Sequence, residues 1–247
     1  VTQNQFSDGG HMTPAYLQSH PMILEGRALV SGRPLRESRS LIKAAMAAFN
    51  ATIPVRDLAP LVLSDFGDVC HRLIRQEGDP DVRLVSDYEF TFSVQLVAPK
   101  ARKLGGDGSA AYQFSATAFL PSTTGGLQAP FTVPFSIGAT VVNGSVTVTA
   151  TGDAPPPVLV RINGPAVQPI IRDQDGGSML LDISLDAGQW LDVDLDARTI
   201  KINSTVNRRN LLRGPWIVPR SGMVLSLDAA VYDPLTSMTV FWTDASY

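Results

Sequence analysis

Between Tyr88 and Leu96 the chain alternates without a break: Tyr88, Phe90, Phe92, Val94 and Leu96 are apolar, and Glu89, Thr91, Ser93 and Gln95 between them are polar. A period of two puts successive side chains on opposite faces of a β-strand, so this segment reads as a strand with one buried and one wet face. The apolar face has to pack on a second layer, where each aromatic or branched side chain contributes about 1.5–3 kcal/mol when fully buried. The rest of the chain repeats the theme in shorter β-branched and aromatic runs, cut by 20 glycines and 18 prolines. Met22 to Val30, Leu61 to Leu63 and Val69 to Arg75 read as strands, with turns at Phe66-Gly67-Asp68 and Glu77-Gly78-Asp79-Pro80. From Phe131 onward the pattern is strand throughout: Val141 to Thr149 with a turn or bulge at Asn143-Gly144, Val158 to Ile162, Ser178 to Leu185, Gln189 to Leu195, Thr199 to Asn203, Met223 to Ala229 and Met238 to Trp242. The expected class is mainly β, and that strand count and spacing suit a β-sandwich.

One helix interrupts this. Leu41, Ile42, Ala45, Met46 and Phe49 share a face at helical spacing, with Ser38 or Ser40 placed to accept the first free N–H groups and Asn50 at the exit. This helix is expected to cover a sheet. Further on, Gly105-Gly106-Asp107-Gly108-Ser109 has nothing to bury and marks the domain boundary. The chain therefore divides into an N-terminal β domain with one helix at 1–104, a glycine-rich linker at 105–109 and a C-terminal sandwich at 110–247. The strand Met238 to Trp242 is free, at this level, to return to the first domain.

A length of 247 residues with 44% hydrophobic and 17% charged residues is enough for a real core. The formal net charge of -3 is spread over both signs, so nothing announces nucleic acid or a membrane surface. Val1 to Gly10 lacks the basic-then-apolar order of a signal peptide, and the longest apolar stretch, near Leu41 to Phe49, is broken by Lys43. Neither secretion by that route nor a membrane span or anchor is expected.

Residues for chemistry are scarce. Cys70 stands alone, and His11, His20 and His71 are the only histidines. Cys70 and His71 are neighbours on a predicted strand and so point to opposite faces, against a nucleophile–base pair. Asp192, Asp194 and Asp196 open like a calcium loop, but Ala197 holds the sixth position where glycine is needed and Asn203 the twelfth where glutamate should bind. Their alternation with Leu191, Val193 and Leu195 makes them the wet side of a strand. The glycines at 105–108 lack the lysine of a phosphate loop, and one cysteine cannot build a zinc site. No catalytic, metal or cofactor-binding residue is expected, and no cofactor. Trp190 and Trp216 are the candidates for sugar contact, with core packing as the commoner use of such rings.

Several stretches, in order, resemble the distal tail protein family of long, flexible-tailed bacteriophages, particularly the minor tail proteins of phages that infect actinobacteria. In the first half these are Glu25-Gly26-Arg27-Ala28-Leu29-Val30-Ser31-Gly32, the helix, Ser64-Asp65-Phe66-Gly67-Asp68, and Phe90 to Arg102. In the second half they are Gly152-Asp153-Ala154-Pro155-Pro156-Pro157, Ile162-Asn163-Gly164-Pro165, Gln168-Pro169-Ile170-Ile171, Leu185 to Asp194, Trp216 to Gly222 and Val240 to Tyr247. The family often has asparagine after the glycine of the late turn, where this chain has Met223. The resemblance implies a ring-forming N-terminal domain, a galectin-like C-terminal sandwich and a structural, non-enzymatic role in the virion. It implies a homo-hexamer at the tail tip, built in the bacterial cytoplasm, with tail tube, hub and receptor-binding or baseplate proteins as partners.

Two rival readings follow from the same residues. A carbohydrate-binding module would hold host-wall glycan on an aromatic such as Trp190 or Trp216. A wall-degrading enzyme would need two carboxylates about 5–9.5 Å apart in a cleft.

Overall fold

The computed structural model describes residues 2–3, 10–11, 19–29, 34–52, 57–65, 67–120, 144–231 and 233–247. The protein is mainly β with one α-helix, and it divides into two compact units, Val1–Lys103 and Leu104–Tyr247. Residues 131–143 lie outside the described residues, and of the strand expected at Val141 to Thr149 the segment Ser145–Thr147 is a strand.

In the first unit, β1 (His20–Leu29) is followed by α1 (Leu35–Thr52), β2 (Ala59–Asp65), β3 (Asp68–Gln76), β4 (Asp81–Ser86) and β5 (Glu89–Ala98). The alternating segment is β5, and it organises the unit. β1 runs antiparallel along its full length, from His20 opposite Ala98 to Leu29 opposite Glu89. On its other side β4 pairs with the first half, Asp81 opposite Ser93, and β3 with the second, Arg75 opposite Val97. β2 and β3 form a ribbon in register from Ala59–Ile74 to Asp65–Asp68, and Gly67 has the positive φ that this tight reversal requires. The predicted face is the buried one: Phe90, Val94 and Leu96 are inside. Around it the core is small among the described residues. Ile74, Val94, Leu96 and Ala98 form the buried cluster, with Met22, Leu61 and Phe92 packed on it.

The helix begins earlier than its capping residues predict. Ser38 is buried one turn inside α1 and its hydroxyl donates to the Pro34 carbonyl at 3.2 Å; Ser40 donates back to Glu37 O. Neither serves as the N-cap. Pro34 precedes the first helical residue, where its fixed φ and missing N–H cost nothing. Of the predicted apolar face, Ile42 is buried and Met46 half-buried, while Leu41 and Ala45 are exposed.

Among the described residues the second unit has two large antiparallel sheets that share one apolar cluster. Its main strands are β6 (Phe114–Phe119), β7 (Ser145–Thr147), β8 (Val158–Asn163), β9 (Ile170–Asp173), β10 (Ser178–Leu181), β11 (Trp190–Asp194), β12 (Thr199–Ile202), β13 (Val206–Asn207), β14 (Leu212–Arg213), β15 (Val224–Asp228) and β16 (Ser237–Trp242). Among the described residues the first sheet runs β13-β12-β11-β8-β16-β6 and the second β7-β15-β9-β10-β14. Val158, Val160, Ile162, Leu191, Val193, Met238 and Val240 face Ile171, Met179, Leu181, Leu225 and Leu227 across the core. This is sheet-on-sheet packing, each strand alternating between core and solvent.

Three segments are placed here, and one of them differs from its expectation. Ser178 to Leu185 is two strands and not one: Ser178–Leu181 stays in the second sheet, while Ser184–Leu185 pairs with Ala166–Val167. At the break, Asp182 N–H donates to Leu211 O and Ile183 N–H turns back to Leu181 O. The strand Ser237–Trp242 runs between β8 and β6 inside the second unit. The glycine-rich segment is built and hydrogen-bonded: Gly105 N–H donates to Asp244 O, and the Asp107 carboxylate accepts from Ser109 N–H and Oγ.

Candidate functional site

Register decides what the outer face of the six-stranded sheet presents. Arg161 of β8 lies opposite Asp192 of β11 on one side and Thr239 of β16 on the other; Asp192 in turn faces Lys201, and Thr239 faces Thr117. Pairing partners share a face, so Thr117, Thr239, Arg161, Asp192 and Lys201 form one polar rung across five strands. The next rung holds Phe119, Ser237, Asn163 and Trp190, and the one on the other side holds Phe241, Leu159 and Asp194.

Within this face the groups are closely bonded. Arg161 donates to Asp192 through Nε at 2.7 Å and Nη2 at 3.1 Å, the two-pronged geometry that suits guanidinium and carboxylate. Ser204 Oγ donates to the same carboxylate at 2.6 Å and accepts from Trp190 Nε1 at 3.2 Å. The guanidinium lies 5.5 Å from the Trp190 ring centre and 5.8 Å from that of Phe241, so it is flanked by two π faces. The Asp192 hydrogen bond raises the Arg161 pKa against the lowering effect of burial, so the group stays cationic. Asn203 and Ser204 both have positive φ; Asn203 Oδ1 accepts from Trp190 N–H, which ties this tight turn to β11. Thr117 and Thr239 hydroxyls meet at 3.0 Å, and Asn163 Nδ2 donates to Ser237 Oγ at 3.0 Å.

The sequence-predicted candidates fall in different places. Trp190 is half-exposed on this face, whereas Trp216 is a partly buried ring packed against the core beneath Arg209. Asp192 lies on the outer face that the alternation predicts but is covered there, being only 7% exposed under Arg161 and Ser204. Asp194 caps the following turn, its Oδ1 accepting from Asp196 N–H and Ala197 N–H. Among the described residues no group of three His, Cys, Asp or Glu is placed to hold a metal ion. His71 is buried on β3 and Cys70 half-buried beside it. Arg161, Thr117, Thr239 and Ser204 were not singled out from sequence, because what joins them is cross-strand register.

The first unit offers a different surface. Ile23 (66% exposed) and Leu29 (58%) lie on β1, Leu84 and Val85 on β4, and Val62, Val69 and Leu73 on the β2–β3 ribbon, all exposed. Val62, Val69 and Leu73 share one face of that ribbon. Over β1, β4 and β5 runs a shallow open groove of roughly 410 Å³ lined by Glu25, Asp81, Arg83, Thr91 and Ser93, with a Ser93 hydroxyl to Glu25 bond of 3.3 Å. No helix among the described residues is long and apolar enough to cross a membrane.

No family model matches the chain, and no curated protein matches it. Among solved structures the chain is similar to the SPP1 Dit (gp 19.1) protein, described as a paradigm of the hub adsorption apparatus in Gram-positive infecting phages. The TM-score is 0.59 at 13% sequence identity, over 98% of this chain and 85% of that one. A chain of the phage p2 baseplate in its activated conformation with Sr aligns at a TM-score of 0.45 and 11% identity, over 92% and 79% of the two chains. The SPP1 likeness is one of fold.

Proposed function

We propose that this chain is a structural virion protein of a phage tail tip, a distal tail protein that closes a hexameric ring between the tail tube and the tip or baseplate. Residues 1–104 form the ring, 105–109 act as linker, and 110–247 form an outward, galectin-like sandwich offered to receptor-binding or baseplate proteins. The carrying observation is the first unit's surface. Among the described residues its buried cluster is small, while large apolar side chains stand in water along β1, β4 and the β2–β3 ribbon. Large apolar side chains left in water are covered at little cost by protein contact, and a stable interface commonly buries above about 1,000 Å². Head-to-tail contacts between identical copies close into a ring when the rotation per copy divides the circle. The fold likeness to a phage hub protein over nearly the whole chain supports the same reading. It requires no catalytic step and no cofactor.

Electron microscopy of the purified chain tests this. Class averages with sixfold symmetry and a central channel are expected; particles the size of a single copy at micromolar concentration would overturn it.

A further inference from the structure

We propose that the solvent face of the six-stranded sheet is a saccharide track, on which a neutral, linear oligosaccharide lies across the strands along the rung from Thr117 to Lys201. This goes beyond the ring reading and does not depend on it.

Three observations carry the proposal. The first is chemical. A polar rung sits between two rungs that carry rings, Phe119 and Trp190 on one side and Phe241 on the other. Phe119 is exposed and Trp190 and Phe241 are half-exposed. A pyranose has the same division: an apolar C–H face and a rim of hydroxyls that both donate and accept. Aromatic rings beside a few fixed polar groups are how such a ligand is held and oriented.

The second is preorganisation. Nε and Nη2 of Arg161 are committed to Asp192, and no partner among the described residues takes Nη1. The guanidinium is fixed by a buried carboxylate and by two rings, so a hydroxyl meeting Nη1 finds a donor whose ordering cost is already met. Asp192 also neutralises the charge of Arg161. The centre of the rung therefore favours hydroxyl groups over an anionic substituent.

The third is length. Five strands at the usual spacing of about 4.8 Å make the rung about 19 Å long, which suits several sugar rings in a row and not a lone monosaccharide.

The test uses the intact chain on an array of neutral and acidic oligosaccharides of two to six units. Trp190→Ala removes the ring. The double change Thr117→Val and Thr239→Val removes the paired hydroxyls of an exposed and a half-buried threonine while keeping their shape, and serves even if the tryptophan variant fails to fold. Expected is binding to neutral chains that strengthens with length, weakened at least about tenfold, or 1.4 kcal/mol, by either variant. The thermal midpoint of the double variant and its oligomer mass should be unchanged. An array on which nothing binds overturns the proposal. So does binding that both variants leave intact, or binding restricted to acidic chains and abolished by Lys201→Ala. Each of those outcomes leaves the ring reading standing, since that is read from the oligomer mass.

Discussion

At the residue scale, two kinds of constraint differ in size. Asp192 accepts from Arg161 twice and from Ser204 once, and is nearly buried. Replacing it with alanine strips all three, but Arg161 retains enough exposure to reach water, which discounts the penalty for stranding its charge. The expected loss for Asp192→Ala is about 1–3 kcal/mol in urea unfolding. Gly152 is less forgiving. Its φ is +104°, and a Cβ there would stand 2.0 Å from the Ala245 carbonyl oxygen, where the segments 151–154 and 243–245 exchange backbone hydrogen bonds. Neither atom is the end of a flexible side chain, so the backbone has to move. Gly152→Ala should cost about 2–4 kcal/mol, more than Asp192→Ala in the same assay.

At the scale of elements, α1 is tied to the turn between β4 and β5 by an ion pair: Arg39 donates to Asp87 through Nε and, at 2.9 Å, through Nη2. That hydrogen bond, and then the charge of Arg39, hold the Asp87 carboxyl below its ordinary value of 3.8. A carboxylate with a depressed folded pKa stabilises the fold above its unfolded pKa, and that contribution is lost as pH falls through the lowered value. An NMR titration of Asp87 should give a midpoint below 3.8 that returns to the ordinary range in Arg39→Ala. The ribbon belongs to this scale too. Val62 and Val69 are exposed, so Val62→Lys with Val69→Lys should leave the unfolding free energy of the separated chain within about 0.5 kcal/mol while abolishing the oligomer by native mass spectrometry.

What could be read from sequence also varies by element. β5 was legible because its alternation is local and complete, and the face named from it is the one buried. The helix was legible in existence but not in its start, because Ser38 makes its hydrogen bond back to Pro34 from inside the helix. The break at Asp182 and Ile183 was not legible. It is made by bonds to Leu211 and by the chain leaving one sheet for another partner, and a run of apolar residues carries no trace of either. Trp190 could be picked as a ring on a strand, but its companions Arg161 and Ser204 come from other parts of the chain. Only the register of β8, β11 and β12 brings them together.

At the scale of the whole molecule, the contrast between the two units sets the functional reading. The second closes two sheets on one core and has a wet face on which Arg161 pairs with Asp192 and Thr117 with Thr239. The first leaves large side chains of β1, β4 and the ribbon in water, and a unit whose buried cluster among the described residues is so small gains most from association. Salt should matter little to that association, since the exposed groups are apolar and burial of apolar surface is not screened by ions. The decisive measurement is the native mass of the purified chain across a concentration series at low and high salt. The account predicts a species of six copies that persists at both. A single copy at every concentration, or an assembly that salt dissolves, would contradict it.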